Sequence, residues 1–313
     1  GNMEGQGNIG IGQSSYYVVN GNITNAANNN IALGNNIYNL TNSTTSTFAG
    51  QNNIGIGQTL YYISKNFSGS NNIGMGNYAF SVNGGSFTGG NNIGIGAWSL
   101  GTNNFSNADL SGDYNIALGE HSLYTNAGGL SGSQNIGIGY YALHTNGGGD
   151  NAGSNNIAIG ESAMRTNGSG YSGSNNIAIG KRALYASLNR GSYNIAIGDQ
   201  VGFAAGNGNV YLGNSSLGAD TAGVLDNVVA IGHGISPSSW ASDNVILLGN
   251  DSSTNAPKIG MGTYQPQAKL DVNGEVRVGN ESGNCTYSNR GAIRFDGTHF
   301  YGCNGSTWKQ LDN

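Results

Sequence analysis

Ile157, Ala158, Ile159 and Gly160 set the pattern of this chain: apolar, small, apolar, Gly, with a polar Asn156 in front. The same phrase follows Asn8, Asn30, Asn53, Asn72, Asn92, Asn115, Asn135, Asn176 and Asn194, so ten copies recur at spacings of 18 to 23 residues. Weaker copies follow as NVYLG from Asn209, VVAIG from Val228 and VILLG from Val245. Strict alternation over so few residues predicts a short β-strand with its two large side chains on one face. The glycine load excludes a helix. Three or four residues after each Gly comes a second apolar pair, such as Ala142 and Leu143, Ala163 and Met164, or Ala183 and Leu184. That pair predicts a second strand, joined to the first by a tight turn at the Gly, where a left-handed backbone costs little. Polar loops of varying length then lead to the next copy.

Self-similarity at a nearly fixed period is the mark of a solenoid. Two short strands per repeat, stacked about 4.8 Å apart, predict an all-β fold, a parallel β-roll or β-solenoid of about ten short repeats. Its thin core is expected to be the stacked Ile and Leu columns, with each Asn bonding its neighbours in adjacent layers as a ladder. The residue between the two large apolar positions is Gly10, Ala32, Gly55, Gly74, Gly94, Ala117, Gly137, Ala158, Ala178 and Ala196, never larger than a methyl. A solvent-facing column would hold Ser, Thr or Asn at several of these places. The column is therefore expected to lie against another polypeptide, which favours a homotrimer. The alternative is that it packs within one chain against the second strand.

Composition narrows the functional classes. Of 313 residues 56 are Gly, only 3 are Pro and 9% are charged, with a formal net charge of -5. Neither collagen nor a highly charged disordered chain fits. No basic stripe exists to neutralise phosphates, so nucleic acid is not an expected partner. No run of about 18 apolar residues is present, so no helical membrane insertion is expected. Cys285 and Cys303 stand close together near the C-terminus without a zinc-type ligand set around them. A disulfide is the expected state, which would place the chain outside the cytoplasm; two unpaired thiols in a small core are the alternative.

The phrase NIAIG followed by a small residue and Leu resembles the head repeat of trimeric autotransporter adhesins, and similar runs occur in phage tail fibres and in the mosaic adhesive trimers of predatory bacteria. The likeness covers Asn8 to about Gly206. A second stretch, KIGMGTYQPQAKLDVNGEVRVGN at 258–280, is similar to a segment of tail-fibre proteins in which three chains intertwine. The resemblance implies a homotrimeric fibre, located extracellularly, at a cell surface or on a virion tail. The expected divisions are a β-roll head or shaft at 1–206, degenerate repeats and a linking region at 207–262, an intertwined β neck at 263–280 and a small antiparallel, disulfide-containing tip at 281–313. In the tip, GAIRFDGTHFYGC predicts a hairpin turning at Asp296-Gly297, and STWKQL predicts a third strand.

Catalytic chemistry is thinly represented. The recurring GIG is not followed by Lys and Ser or Thr, so it is no phosphate cradle. His121, His144, His233 and His299 fall in different columns and layers, which predicts surface residues and no metal site. No cofactor is expected. Glu120, Glu161 and Asp199 share a column two layers apart, roughly 10 Å between successive members, near the upper limit for an inverting glycosidase pair. Lys181 interrupts that column, so the chain is not expected to be an enzyme. A tail-spike-type polysaccharide-cleaving activity and a purely structural spacer remain the alternatives. Binding is the stronger expectation. Tyr78, Trp98, Tyr140 and Tyr141 occupy the variable positions after the turn Gly and are candidate secondary sugar contacts, or else cover loops and neighbouring chains. Arg290, Arg294, Asp296, His299, Tyr301, Asn304 and Trp308 are the candidate ligand-binding residues of the tip, expected to recognise a cell-surface glycan between adjacent chains.

Overall fold

In the computed structural model the described residues are 6–18, 27–40, 47–103, 108–126, 128–147, 150–168, 171–185, 191–202, 206–215, 226–235, 243–249, 258–279 and 283–312. The chain divides into two compact units, Gly1–Thr254 and Asn255–Asn313.

The first unit is a parallel β-solenoid. Thirteen short strands, from Ile9–Ile11 to Ile246–Leu248, form one sheet in sequence order. Each copy of the phrase pairs with the same phrase one coil on, as Ile157 with Ile177, Ala158 with Ala178 and Ile159 with Ile179. The three degenerate copies continue this sheet through Val210–Asn214, Val229–His233 and Ile246–Leu248. At about 4.8 Å per coil the sheet is on the order of 58 Å long.

Among the described residues a second strand is present only in the first five coils, as Tyr16–Val18, Tyr38–Leu40, Tyr61–Ile63, Val82–Asn83 and Thr102–Asn103. From the fourth coil the expected apolar pair, there Ala79 and Phe80, lies in a turn, which the short strands Val82–Asn83 and Thr102–Asn103 follow in the fourth and fifth coils. The turn residues alternate into the left-handed region, as Tyr141 (φ 56°) and Leu143 (φ 53°), so the backbone coils where extension was expected. A side-chain hydroxyl fastens this turn, Ser122 Oγ donating to the Gly119 carbonyl at 3.0 Å. Beyond it the coils touch at single bridges, Thr125 to Thr145 to Thr166 on one side and Leu110 to Leu130 to Asn151 on another.

The faces of the main sheet are the reverse of the expected ones. The small column points inward: Ala158 is 0% exposed, as are Ala117, Ala178 and Ala196. The large column points outward, and Ile197 is 41% exposed. The reason is the turn. Leu60, Phe80, Leu100, Leu123, Leu143, Met164 and Leu184 swing in from it and are buried, filling the narrow interior. A Cβ on Gly74 would stand 2.5 Å from Leu60 Cδ2, so nothing larger fits opposite these side chains. The residues pressing on the small column thus belong to the same chain, and the column is no evidence for a trimer. Tyr211 takes its place in a degenerate copy, buried over Gly202, where even a Cβ would come within 2.6 Å of the ring.

Two further devices hold the coils in register. The Asn ladder is buried as expected: Asn176 N donates to Asn156 Oδ1 at 2.9 Å, and Asn176 Nδ2 donates to the Gly191 carbonyl at 2.9 Å. The Gly closing each strand is the second. Gly160 has φ +132°, and a Cβ there would meet the Gly180 carbonyl oxygen at 2.5 Å, so only Gly permits the coils to stack. In the first coils Tyr16, Tyr38 and Tyr61 add a stacked ring column, with centroids 4.9 and 4.7 Å apart.

The second unit holds two small sheets. Ile259–Met261 pairs in parallel with Leu270–Val272. Every residue of 258–279 is at least partly exposed, so this ribbon has no core of its own. Ile293–Phe295, Phe300–Cys303 and Trp308–Gln310 form the expected hairpin and third strand, an antiparallel sheet. Cys285 and Cys303 are joined by a disulfide and are the only buried residues among those described from 283 to 312.

Candidate functional site

The three-stranded sheet is two-faced. Its register places Arg294 opposite Tyr301 and Tyr301 opposite Gln310. Alternation therefore groups Arg294, Tyr301, Trp308 and Gln310 on one polar face, and Ile293, Phe295, Phe300 and Leu311 on the other. Ile293, Phe300 and Leu311 are all exposed, an apolar face that the unit itself does not cover.

On the polar face the Arg294 guanidinium lies 4.3 Å from the Trp308 ring and 5.4 Å from that of Tyr301. Trp308 Nε1 donates to the Gly283 carbonyl at 2.9 Å, and Arg294 Nη1 donates to the same oxygen at 3.4 Å. The indole is thus covered on one side and is no bare stacking platform. What it does is hold the guanidinium flat and aimed. Asp296 accepts from the backbone N–H of Thr298 and of His299, both at 2.8 Å, and these bonds hold its carboxyl below the usual range. Partial burial, together with the bond to Asp296, raises the Tyr301 hydroxyl. His299 Nδ1 stands 3.0 Å from Gln310 Nε2 and 3.6 Å from Asp312 Oδ2.

Arg294, Tyr301 and Trp308 are therefore brought together, with Asp296 beside Tyr301 and with His299 linked to Gln310. Asn304 and Arg290 serve elsewhere. Asn304 Oδ1 accepts from the N–H of Ser306 and Thr307 and closes the turn before the last strand. The Arg290 side chain runs past Gly305, whose Cβ would meet its Cδ at 3.4 Å. Gln310 and Asp312 were not singled out in the sequence, although alternation from Trp308 marks both. The assembled surface offers a guanidinium, a phenol, an amide and an imidazole within one shallow patch, a set suited to hydrogen-bonding a polyhydroxylated ligand.

The four candidate aromatics of the solenoid each pack against a neighbouring ring. Tyr78 stacks on Trp98 at 4.3 Å, and His121 stacks on Tyr141 at 4.9 Å. Tyr140 is exposed and meets Tyr141 at a steep angle, 4.2 Å between centroids. In the carboxylate column Glu161 Oε2 lies 3.0 Å from Lys181 Nζ as a solvent-facing ion pair. The histidines depart from expectation: His121 and His144 have ring centroids 6.1 Å apart, and His144 is buried. The left-handed turn brings their two columns together. No group of three or more potential metal ligands occurs among the described residues.

No protein-family model matches this chain, and comparison with curated proteins and with solved structures finds no similar protein.

Proposed function

We propose that this chain is part of an extracellular homotrimeric fibre, at a cell surface or on a virion tail, that recognises cell-surface glycan through the polar face of its C-terminal sheet. The carrying observation is the two-faced character of that sheet: a fixed Arg294–Trp308–Tyr301 cluster backs onto an exposed apolar face. The apolar face is the side for partner copies, and the polar face is the side for ligand. The disulfide suits an oxidising exterior.

Three features support association with copies of the same chain. The outward Ile columns of the solenoid form a flat apolar strip of order 600 Å² per chain, from about 58 Å by one short strand. That is at the upper end of what a monomer leaves exposed and at the lower end of a specific interface. The neck ribbon has no buried residue, and a two-stranded ribbon is not stable alone. The likeness to trimeric fibre repeats supplies the number three.

Two experiments test this reading. Native mass measurement is expected to give three times 32.0 kDa for the chain. The double substitution Ile179→Lys with Ile197→Lys, at exposed sheet positions, is expected to release single chains whose β-type circular dichroism is unchanged. A parent chain that runs at its monomer mass refutes the trimer. On a glycan array, Trp308→Ala is expected to weaken binding at least tenfold by freeing Arg294, and Arg294→Ala to do the same. Binding undiminished in both variants, or absent in the parent, removes the tip as the recognition site.

A further inference from the structure

His144 occupies a place where an imidazole is a poor choice for stability. It is 1% exposed, and neither ring nitrogen has a hydrogen-bond partner. It stacks on Tyr124 at 5.8 Å and meets the edge of Tyr141 at 4.6 Å. A phenyl or leucyl group there would hold the coil without burying two unpaired polar atoms, each worth about 1–3 kcal/mol. Packing alone therefore does not account for the residue.

Its surroundings would resist a charge. The Arg165 guanidinium lies 4.4 Å from the centre of the Tyr141 ring, on the coil after His144, and His121 lies 6.1 Å from His144 on the coil before. The neighbouring carboxylate is Glu120, whose Oε1 is 3.5 Å from His121 Nδ1 and so already answers that ring. Tyr124 and Tyr141 are the remaining titratable neighbours. An imidazolium at His144 would be buried without an acceptor beside one fixed cation and one potential one.

We propose that the turns carrying His121, His144 and Arg165 form an acid-sensitive latch in the solenoid, closed while His144 is neutral and opened when it takes up a proton. The coils from Asn115 to about Tyr185 are then the segment that loosens in an acidified compartment, while coils whose turns lack buried histidine stay shut. Burial, then the Arg165 charge, then His121 push the folded-state value of His144 down to about 3. An opened turn titrates near 6.5. The folded value is depressed below the open one, so the closed state is fully favoured above about pH 6.5. Its advantage is lost as pH falls through the window down to about 3, roughly tenfold per unit.

Hydrogen exchange of the full chain, read by mass spectrometry and corrected for the intrinsic pH dependence, tests this. Between pH 7 and 4.5 the amides of 141–147 are expected to lose about 100-fold in protection, and the Phe67–Phe87 region much less. In His144→Phe the loss at 141–147 is expected to fall below threefold. In Arg165→Gln, which removes the adjacent charge and so raises the folded value, the loss should still begin near pH 6.5 but level off at a higher pH than in the parent when exchange is followed down to about pH 3. The latch is refuted if the parent shows no local loss, or if the loss survives in His144→Phe. Should that variant not fold, a loss in Arg165→Gln that levels off at no higher pH than in the parent refutes it equally.

Discussion

Ala158→Leu is expected to lower the denaturation free energy by about 3 kcal/mol and to disorder the surrounding coils, because the side chain has nowhere to go. Ala158 is wholly enclosed in the narrow interior that Leu143 and Met164 also fill. One coil earlier the room is already gone, since a Cβ on Gly137 would stand 3.3 Å from the Ala142 carbonyl and 3.4 Å from Leu123 Cγ. An added isobutyl group forces the turn outward and strips the strand of its backing. The outer face behaves in the opposite way. Ile179→Lys sits one coil on at an exposed position, and its effect is expected in the mass of the assembly and not in the order of the coil. Urea unfolding followed by circular dichroism separates the two. Equal tolerance at both positions would mean that the faces have been assigned wrongly.

Asn156→Ala is expected to cost about 3–4 kcal/mol, more than a typical single hydrogen bond, because the side chain serves two coils at once. Asn156 Nδ2 donates to the Gly173 carbonyl at 2.9 Å. Asn156 Oδ1 accepts from Asn176 N at 2.9 Å and from the Tyr171 hydroxyl at 3.1 Å. Alanine leaves a buried carbonyl and a buried N–H without partners, and the site is closed to solvent. In a solenoid stability is a sum of coil terms and neighbour terms, so the loss is local before it is global. Increased exchange at Gly173 to Ile177, with the first coils unchanged, is the expected signature. Asn156→Asp should be no better at neutral pH, since it keeps the acceptor but loses the donor and buries a charge. A ladder variant as stable as the parent would show that the bonds to Asn156 contribute little.

Much of the solenoid was legible in the sequence because the repeat states its own register: an Asn, an alternating triplet and a Gly, each meeting its counterpart one coil away. The hairpin was equally open to reading, through Asp296-Gly297, and the pair Cys285 and Cys303 was read as bonded. Which face of the triplet looks inward was not. Alternation defines two faces without ranking them, and size suggested that Ile should go in. The deciding residues lie in the turn, where Leu143 and its equivalents enter the core from a left-handed backbone that a leucine does not announce. The available signal was the small column itself, which packing within one chain also explains. The meeting of His121 with His144 was hidden for the same reason, since it joins two columns that only the turn brings together. At the tip, alternation named the polar face, but the cover of Arg294 over Trp308 depends on a rotamer that no pattern encodes.

The strand-to-strand match of identical positions has a genetic corollary. A coding segment that duplicates or drops one repeat through unequal crossing-over would lengthen or shorten the column by a single pitch of about 4.8 Å and leave every remaining junction intact. Descendants of this gene are thus free to vary in reach by whole steps without reinventing the fold.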